Sequence, residues 1–263
     1  MYQNVLKEKL KGGPVYGCFV NFPSGDIAEM TASIGFDFIL IDNEHGVMDW
    51  REINEMVRGA QLKDVPALVR CPEPTYSYVQ KTLDLGADGI QIPMVDNAEK
   101  AEELVRRSNY PPNGTRGMSL QCRAAGYGMC EDKIKYREKA NRDSLKVIQI
   151  ETEQAVESMD EILQVDGVDV FFVGPGDLAA DMLCESYQCE KVQRKTEKII
   201  RRITAAGRTA GVFAGTPEET ERALDWGARY IVTSTVNYMV SGGKNYLNTV
   251  RKSGGRRKSG GTA

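Results

Sequence analysis

The sequence lacks the patterns that mark several specialised classes of protein. No apolar run approaches the ~20 residues that a membrane-spanning helix needs, and residues 1–10 contain no hydrophobic signal segment. We therefore predict a cytoplasmic protein with no membrane partner. The 34 Lys and Arg residues are outnumbered by 37 Asp and Glu residues, which gives a net charge of −3. A nucleic-acid partner, which requires clustered basic side chains, is not expected.

Cysteine and histidine also lack the spacing of a metal site or of a disulfide framework. The six cysteines form no C-x-x-C pair, and His45 is the only histidine. In a chain of 263 residues without an export signal, scattered cysteines are expected to be reduced thiols. The sequence thus predicts neither structural zinc nor disulfide bonds.

What the sequence does contain is a repeated alternation of two patterns. Eight short apolar runs recur, and they are nearly continuous, which is typical of strands buried on both faces of a parallel sheet. Amphipathic stretches between them predict helices, among them Trp50–Lys63, Ala98–Ser108, Glu153–Val165 and Lys191–Ala206. The apolar runs are Val15–Val20, Phe38–Ile41, Ala67–Val69, Gly89–Ile92, Lys146–Ile150, Val170–Val173, Thr209–Phe213 and Tyr230–Val232.

Glycine marks the return from helix to strand at four places, Gly35, Gly86, Gly167 and Gly227. Glycine tolerates the left-handed conformation that turns a chain back into a sheet. The chain length is also close to the ~250 residues of a parallel barrel. We therefore predict a single-domain α/β fold, a (β/α)₈ TIM barrel over residues 1–252, followed by a disordered basic tail over residues 253–263. A doubly wound open sheet is the alternative, but no strand is followed by a Gly-rich dinucleotide loop.

The carboxyl ends of the predicted strands collect polar side chains. In a parallel barrel these ends meet on one rim, where catalytic groups cluster. The rim residues are Asp42, Glu44 and His45 after the second run, Arg70 after the third, Gln91 in the fourth, Gln149 and Glu151 at the fifth, and Asp177 after the sixth.

Glu151 and Asp177 fall at neighbouring strand ends, where they can bind one hard cation. Mg²⁺ commonly takes one or two carboxylates and completes its shell with water or substrate oxygens, which leaves room for a 2-oxo acid. Alternatively, each carboxylate caps the helix that follows it. For either residue alone the cap is the favoured interpretation, but the two together favour a metal site.

His45, Arg70 and Asp84 each allow two interpretations. The imidazole of His45 suits proton transfer near neutral pH, or it has no function beyond packing. A buried guanidinium at Arg70 needs an anionic partner, which is either a substrate enolate or a rim carboxylate. Asp84 falls at the opposite end of its unit, so within one subunit it is expected to be a solvated helix residue.

Five ordered motifs make the chain similar to the HpcH/HpaI family of metal-dependent pyruvate aldolases, relatives of the citrate lyase β chains. The resemblance implies that Glu151 and Asp177 hold Mg²⁺, Mn²⁺ or Co²⁺. It also implies that Gln149 and the backbone amides near Gly176 and Asp177 hold pyruvate. The motifs are Ile41-Asp42-Asn43-Glu44-His45, Ile92-Pro93-Met94-Val95, Tyr110-Pro111-Pro112-Asn113-Gly114-Thr115-Arg116-Gly117, Gln149-Ile150-Glu151-Thr152 and Val173-Gly174-Pro175-Gly176-Asp177-Leu178.

The same resemblance implies roles for the remaining residues. Arg70 would stabilise the enolate, and His45 would transfer a proton through water. Asp42 would orient His45, or an Asp84 equivalent would do so from a neighbouring subunit. Members of the family form homo-oligomers, hexamers or trimers, in which C-terminal helices are exchanged.

These features lead to the hypothesis of a divalent-metal-dependent aldolase that cleaves a 4-hydroxy-2-oxo acid to pyruvate and an aldehyde. No Schiff-base lysine stands at a strand end, so the metal would stabilise the enolate. The chain departs from the family pattern at Gly176 and Ala179 and over residues 181–185 and 232–237. Two alternatives are therefore a Claisen-type citrate synthase of a siderophore pathway, using oxaloacetate and acetyl-CoA, and a non-catalytic barrel.

Overall fold

The computed structural model describes residues 5–258, with side chains to residue 252, and shows a closed parallel barrel of eight strands in sequential order. β1 pairs with β2 and, closing the barrel, with β8. The strands are β1 Val15–Val20, β2 Phe38–Asp42, β3 Ala67–Arg70, β4 Gly89–Ile92, β5 Leu145–Ile150, β6 Val170–Val173, β7 Ala210–Phe213 and β8 Tyr230–Ser234. The predicted (β/α)₈ fold is confirmed, and the open sheet is excluded.

Twelve α-helices and one 3₁₀ turn (Arg123–Ala125) connect and flank these strands over the part of the chain that the structure describes. No helix within residues 5–258 is long and apolar enough to span a bilayer. The helices are α1 Val5–Gly12, α2 Gly25–Ser33, α3 Trp50–Gln61, α4 Tyr76–Asp84, α5 Ala98–Ser108, α6 Lys133–Asp143, α7 Glu153–Glu157, α8 Met159–Ile162, α9 Pro175–Asp181, α10 Glu190–Ala205, α11 Pro217–Trp226 and α12 Thr235–Lys258.

All four predicted glycine turns have the left-handed backbone that only glycine adopts easily, with φ between 84° and 110° at Gly35, Gly86, Gly167 and Gly227. In three of them an aspartate two residues later accepts a backbone N–H from the preceding strand, which fastens the strands at the bottom of the barrel, the end opposite the rim. The pairs are Asp37 with Tyr16 at 2.9 Å, Asp88 with Ala67 at 3.0 Å, and Asp169 with Lys146 at 2.8 Å.

Aromatic rings fill the barrel interior. Phe38 stacks on Tyr230 with ring centroids 4.5 Å apart, and Phe172 meets Tyr230 edge-on at 6.1 Å. Gly17 makes room for this stack, since a Cβ there would come within 2.2 Å of the Phe38 ring. A second apolar layer lies between the strands and the surrounding helices. Because the interior is closed by side chains, a ligand can reach the strands only at the rim.

Two predicted segments differ from the structure. The helix predicted over Glu153–Val165 is interrupted at Ser158 and forms α7 and α8; serine competes for backbone hydrogen bonds and favours helix ends. The tail predicted to be disordered begins at residue 253, whereas α12 continues to Lys258. Extending an existing helix is far easier than nucleating one, and each glycine costs only about 1 kcal/mol. Residues 259–263 lie outside the described part.

Candidate active site

The rim brings together the predicted site residues from β2, β3, β5 and the start of α9. Glu151 follows β5 directly, and Gln149 lies inside that strand. Asp42 and Arg70 end β2 and β3 and are partners in the sheet register. Parallel pairing therefore aligns these side chains at one end of the barrel, as the sequence predicted.

Glu151 is a buried carboxylate with an unusually confined position. Its side chain accepts hydrogen bonds from the Met94 backbone N–H at 2.7 Å and from Gln149 Nε2 at 2.6 Å, and the residue is 1% exposed. Gly174 lies against it, since a Cβ at that glycine would be 2.2 Å from Glu151 Oε2. The glycine before α9 is thus required by the carboxylate of the neighbouring strand.

The charge of Glu151 is poorly compensated within the chain. Burial, together with the negative charges of Asp177 and Glu44, raises the pKa of Glu151 to about 7, against the two hydrogen bonds that lower it. Repulsion between a buried carboxylate and its carboxylate neighbours is what a bound cation would relieve. The residues present therefore fit a divalent cation held by Glu151 and Asp177.

The site offers two carboxylates, not a complete ligand shell. Within the described side chains, no group of three or more His, Cys, Asp or Glu residues is arranged to hold a metal. A two-carboxylate site suits Mg²⁺, which keeps several positions for water and substrate oxygens. Asp177 is exposed in the first turn of α9, where backbone N–H groups have no partner within the helix. Gly176 faces open space.

Arg70 is neutralised by rim carboxylates. Its Nε and Nη2 donate to the two oxygens of Asp42 at 2.9 and 2.7 Å, and Nη1 lies 3.0 Å from Glu44 Oε2 and 3.5 Å from Gln149 Oε1. The guanidinium also lies 4.6 Å from the centre of the Phe19 ring. The sequence allowed either a substrate enolate or a rim carboxylate as the partner of Arg70. The structure shows the carboxylate, so the burial of Arg70 does not by itself require an enolate.

The only histidine stands at the edge of this cluster. The His45 side chain is 60% exposed, and its Nε2 lies 3.7 Å from Glu44 Oε2. Asp42 contacts the backbone N–H of His45 at 3.3 Å and not the ring. The structure therefore places Glu44, and not Asp42, beside the imidazole, because Arg70 and Asn21 hold both oxygens of Asp42.

Two of the predicted rim residues, Glu44 and Gln91, were given no functional role from the sequence. Glu44 was placed at the rim, but its contact with both Arg70 and His45 depends on a turn that sequence does not specify. Gln91 donates from Nε2 to Gln149 Oε1, while its own buried Oε1 has no hydrogen-bond partner in the described structure. A buried polar atom without a partner is rare and is consistent with a bound water or ligand. The sequence signal that could have identified Gln91 was a polar residue within the apolar strand β4.

Asp84 is not part of this cluster within one chain. It ends α4, and its Oδ1 pairs with the buried Arg116 at 2.8 Å. Arg116 in turn stacks on Tyr110, 4.4 Å from the ring centre. The ion pair of Asp84 therefore joins α4 to the long connection between α5 and α6. Asp84 is not the solvated helix residue that the sequence predicted.

The fold and the site together define a barrel enzyme that gathers carboxylates, one guanidinium and one imidazole at its rim. The model of the HpcH/HpaI aldolase/citrate lyase family matches residues 15–237, and the chain belongs to that family. It is an aldolase, a carbon–carbon lyase. The 2-keto-3-deoxy-L-rhamnonate aldolase of Klebsiella pneumoniae is 37% identical over 84% of this chain and 83% of its own.

Solved structures agree with this assignment. An HpcH/HpaI aldolase/citrate lyase family protein from Burkholderia cenocepacia has a TM-score of 0.88 and 30% identity, over 95% of this chain and all of its own. The citrate synthase SbnG has a TM-score of 0.86 and 25% identity, over 96% and 99%. The fold is shared with a citrate lyase β subunit from Mycobacterium tuberculosis, solved with oxaloacetate and magnesium (TM-score 0.56, 17% identity, 86% and 93% covered).

Proposed function

We propose that this aldolase cleaves a 4-hydroxy-2-oxo acid to pyruvate and an aldehyde, with a divalent cation bound by Glu151 and Asp177. The observation that carries the proposal is the buried Glu151 carboxylate, which faces two further carboxylates and has a raised pKa. The substrate class follows from the relative named a 2-keto-3-deoxy-L-rhamnonate aldolase, because such a 2-keto-3-deoxy sugar acid can carry its hydroxyl at C4.

The cation, when bound, would supply Lewis-acid stabilisation of the negative charge on the keto oxygen, worth several kcal/mol. The side chains have complementary tasks. Gln149 connects Glu151 to Arg70 and fixes the orientation of the carboxylate. The Nη2 of Arg70 keeps one N–H beyond its bond to Asp42, which is available to a substrate oxygen. His45 is exposed enough to exchange protons with the substrate hydroxyl through water.

The direct test is pyruvate release from a panel of 4-hydroxy-2-oxo acids by the purified full-length protein. We expect cleavage with added Mg²⁺, Mn²⁺ or Co²⁺ and loss of cleavage in EDTA, restored by excess metal. Undiminished cleavage in a rigorously chelated sample would contradict the metal mechanism. Absence of cleavage with every substrate and metal would contradict the aldol reaction itself.

A second candidate is favoured by the likeness to the citrate synthase SbnG. A Claisen-type condensation would use the same stabilised enolate but join oxaloacetate to acetyl-CoA. Thiol release on mixing these two compounds, measured with a thiol reagent, distinguishes it from the aldol reaction. Calorimetry in which neither Mn²⁺ nor pyruvate binds would instead favour a barrel without catalysis.

A homo-oligomer, a trimer or a hexamer, is part of the proposal. α12 leaves β8 with an exposed apolar surface that includes Val236, Tyr238, Met239, Val240, Tyr246, Leu247 and Val250. Exposed apolar surface of this kind marks protein interfaces. Exchange of α12 between copies would cover it, and Asp84 could then reach the site of a neighbour. Light scattering on the intact protein and on a chain ending before residue 236 tests this assembly.

A further inference from the structure

The connection between β4 and α5, residues 93–97, holds Glu151 from outside its own strand. The backbone N–H of Met94 donates to Glu151 Oε1 at 2.7 Å. The next residue, Val95, is buried and donates its N–H to the carbonyl oxygen of Gln149 at 3.2 Å. This connection therefore lies across the end of β5 and contacts the carboxylate that the proposed metal site uses.

Met94 has a backbone conformation that its residue type disfavours. Its φ is 53°, in the left-handed region that glycine adopts freely and that residues with a Cβ rarely occupy. In the described chain only three other non-glycine residues, Asp64, Tyr127 and Leu183, have a positive φ. The N–H that contacts Glu151 thus belongs to a residue whose backbone must be held by other contacts.

Lys100 supplies such a contact. Its Nζ donates to the carbonyl oxygen of Met94 at 2.9 Å and to Asp96 Oδ2 at 2.7 Å. The other oxygen of Asp96 accepts the hydroxyl of Thr152 at 2.9 Å, and Thr152 directly follows Glu151 in the chain. Lys100 and Asp96 therefore link the carbonyl of Met94 to the residue beside the carboxylate that the Met94 N–H contacts.

The position of Lys100 in its helix is electrostatically unfavourable. Lys100 is the third residue of α5, and Asn97 caps this helix by accepting the Lys100 backbone N–H at 3.0 Å. The first turn of a helix favours acidic side chains and disfavours basic ones. The Lys100 side chain is also 43% exposed, and an ion pair as accessible as that with Asp96 contributes little to stability. Neither helix formation nor the ion pair accounts for a lysine here, whereas the bond to Met94 does.

We propose that Lys100 is a positioning residue, which holds the carbonyl of Met94 so that the N–H of Met94 keeps the Glu151 carboxylate oriented for the cation. The inference rests on the proposed metal site. An effect of charge alone would have the opposite sign, because an ammonium group repels a cation and its removal would strengthen metal binding. Loss of the orientation would weaken metal binding. The sign of the change in affinity therefore separates the two roles.

The test compares K100M, which has a side chain of similar length without a donor, with K100R, which keeps the charge and the donors. Calorimetric titration of the full-length proteins with Mn²⁺ should show roughly tenfold weaker binding for K100M and near wild-type binding for K100R. K139M is the matched control. Lys139 pairs with Asp143 at the same spacing of four residues as Lys100 with Asp96, so K139M should lose a comparable ion pair and retain Mn²⁺ affinity.

A second measurement needs no metal. Hydrogen exchange of the Met94 amide, followed in chelator by mass spectrometry on overlapping peptides, reports the bond from Met94 to Glu151. The amide should exchange roughly tenfold faster in K100M than in wild type, because the backbone that aims it is released. K100R and K139M should exchange this amide at the wild-type rate.

Three results would overturn the proposal. The first is a K100M protein that binds Mn²⁺ as tightly as wild type or more tightly. The second is a K100R protein that loses as much affinity as K100M, and the third is a Met94 amide that exchanges at the wild-type rate in K100M. If wild type binds no Mn²⁺, the proposed metal site itself fails, and the exchange rates alone decide whether Lys100 holds Met94.

Discussion

β5 has a buried ionisable side chain near each end, and the two ends of the barrel treat the buried charge differently. At the bottom, Lys146 is 2% exposed and donates to Asn141 O, Ser144 O and Ser144 Oγ at 3.1–3.3 Å. At the rim, Glu151 accepts two hydrogen bonds but lies among carboxylates. The bottom satisfies its charge with acceptors of the fold, whereas the rim accumulates charge of one sign that a ligand must compensate.

In a parallel barrel the bottom serves stability and the rim serves function. The environments of Lys146 and Glu151 differ in the way that this division predicts. Burial lowers the pKa of Lys146 to about 8, and the positive charges of Lys7 and Arg116 act in the same direction. The Lys146 amine nevertheless has three oxygen acceptors, so its N–H donors are satisfied whether the amine is charged or neutral. Within the described residues, the two hydrogen bonds that lower the pKa of Glu151 do not offset its burial and the neighbouring negative charges. Sites that bind charged ligands are often held at some cost to stability.

The largest expected effect is that of E151Q, which should change function and stability in opposite directions. Loss of the buried charge should reduce turnover and metal affinity by roughly a thousandfold. The folded-state pKa of Glu151 is raised from 4.5 to about 7. The favourable contribution of Glu151 to the free energy of unfolding is therefore present below pH 4.5 and is lost as pH rises to 7. In chelator at pH 8, E151Q should exceed wild type in unfolding free energy by roughly 2–3 kcal/mol.

E153Q provides the control for this variant. Glu153 begins α7 two residues later and pairs at the surface with Lys195 at 2.9 Å. Turnover and metal affinity of E153Q should match those of wild type. If E151Q instead lost stability in chelator while keeping its metal affinity, the charge of Glu151 would be compensated by the fold, as that of Lys146 is. The proposed difference between the rim and the bottom would then be contradicted.

R70K should lower kcat/KM by roughly a hundredfold. Lysine carries the charge but cannot donate to both oxygens of Asp42 and reach Glu44 at the same time. R208K is the comparison at the bottom, where Arg208 donates to Leu163 O at 2.9 Å, and it should retain kcat/KM. Steady-state kinetics of both variants, with unfolding curves to confirm folding, decide the matter. Equal losses for the two would show that arginine geometry at the rim has no special role.

G174A should weaken metal binding by 10- to 100-fold, on the order expected for residues that orient metal ligands. Its new Cβ would stand 2.2 Å from Glu151 Oε2 and would force the carboxylate to move. G176A, two residues on, adds a Cβ that meets nothing within 4 Å and should retain metal affinity. Calorimetric titration with Mn²⁺ compares the pair. Equal affinities would place the metal away from Glu151.

The sequence predicted the barrel well because its signals are local. Three of the eight apolar runs have the observed strand bounds, and the four glycine turns depend on backbone conformations that one residue type favours. The site was predicted only as a set of strand ends. That Glu44 contacts Arg70, and that Gly174 shapes the pocket of Glu151, depend on distances between residues far apart in the chain. Side-chain position across a barrel has no local sequence signal.

The smallest expected effect concerns the three aspartates that fasten the bottom. Asp37 and Asp169 also pair with Lys9 at 2.7 Å and Lys7 at 2.8 Å, whereas Asp88 Oδ2 accepts from Gln61 Nε2 at 2.8 Å. Burial raises the pKa of Asp88 from 3.8 to about 6. The contribution of Asp88 to stability is therefore present below pH 3.8 and is lost as pH rises to 6.

D88N should remove this pH dependence, because asparagine is neutral at every pH and can still accept from the Ala67 N–H. The unfolding free energy of wild type relative to D88N should fall by about 1–2 kcal/mol between pH 4 and pH 6.5, a value reduced for the partial exposure of the side chain. D37N, which removes a lysine-paired carboxylate from an equivalent turn, should not reproduce that slope. If the unfolding free energies of D88N and wild type varied in parallel with pH, the charge of Asp88 would be compensated as fully as those of Asp37 and Asp169. Uncompensated buried charge would then be confined to the rim.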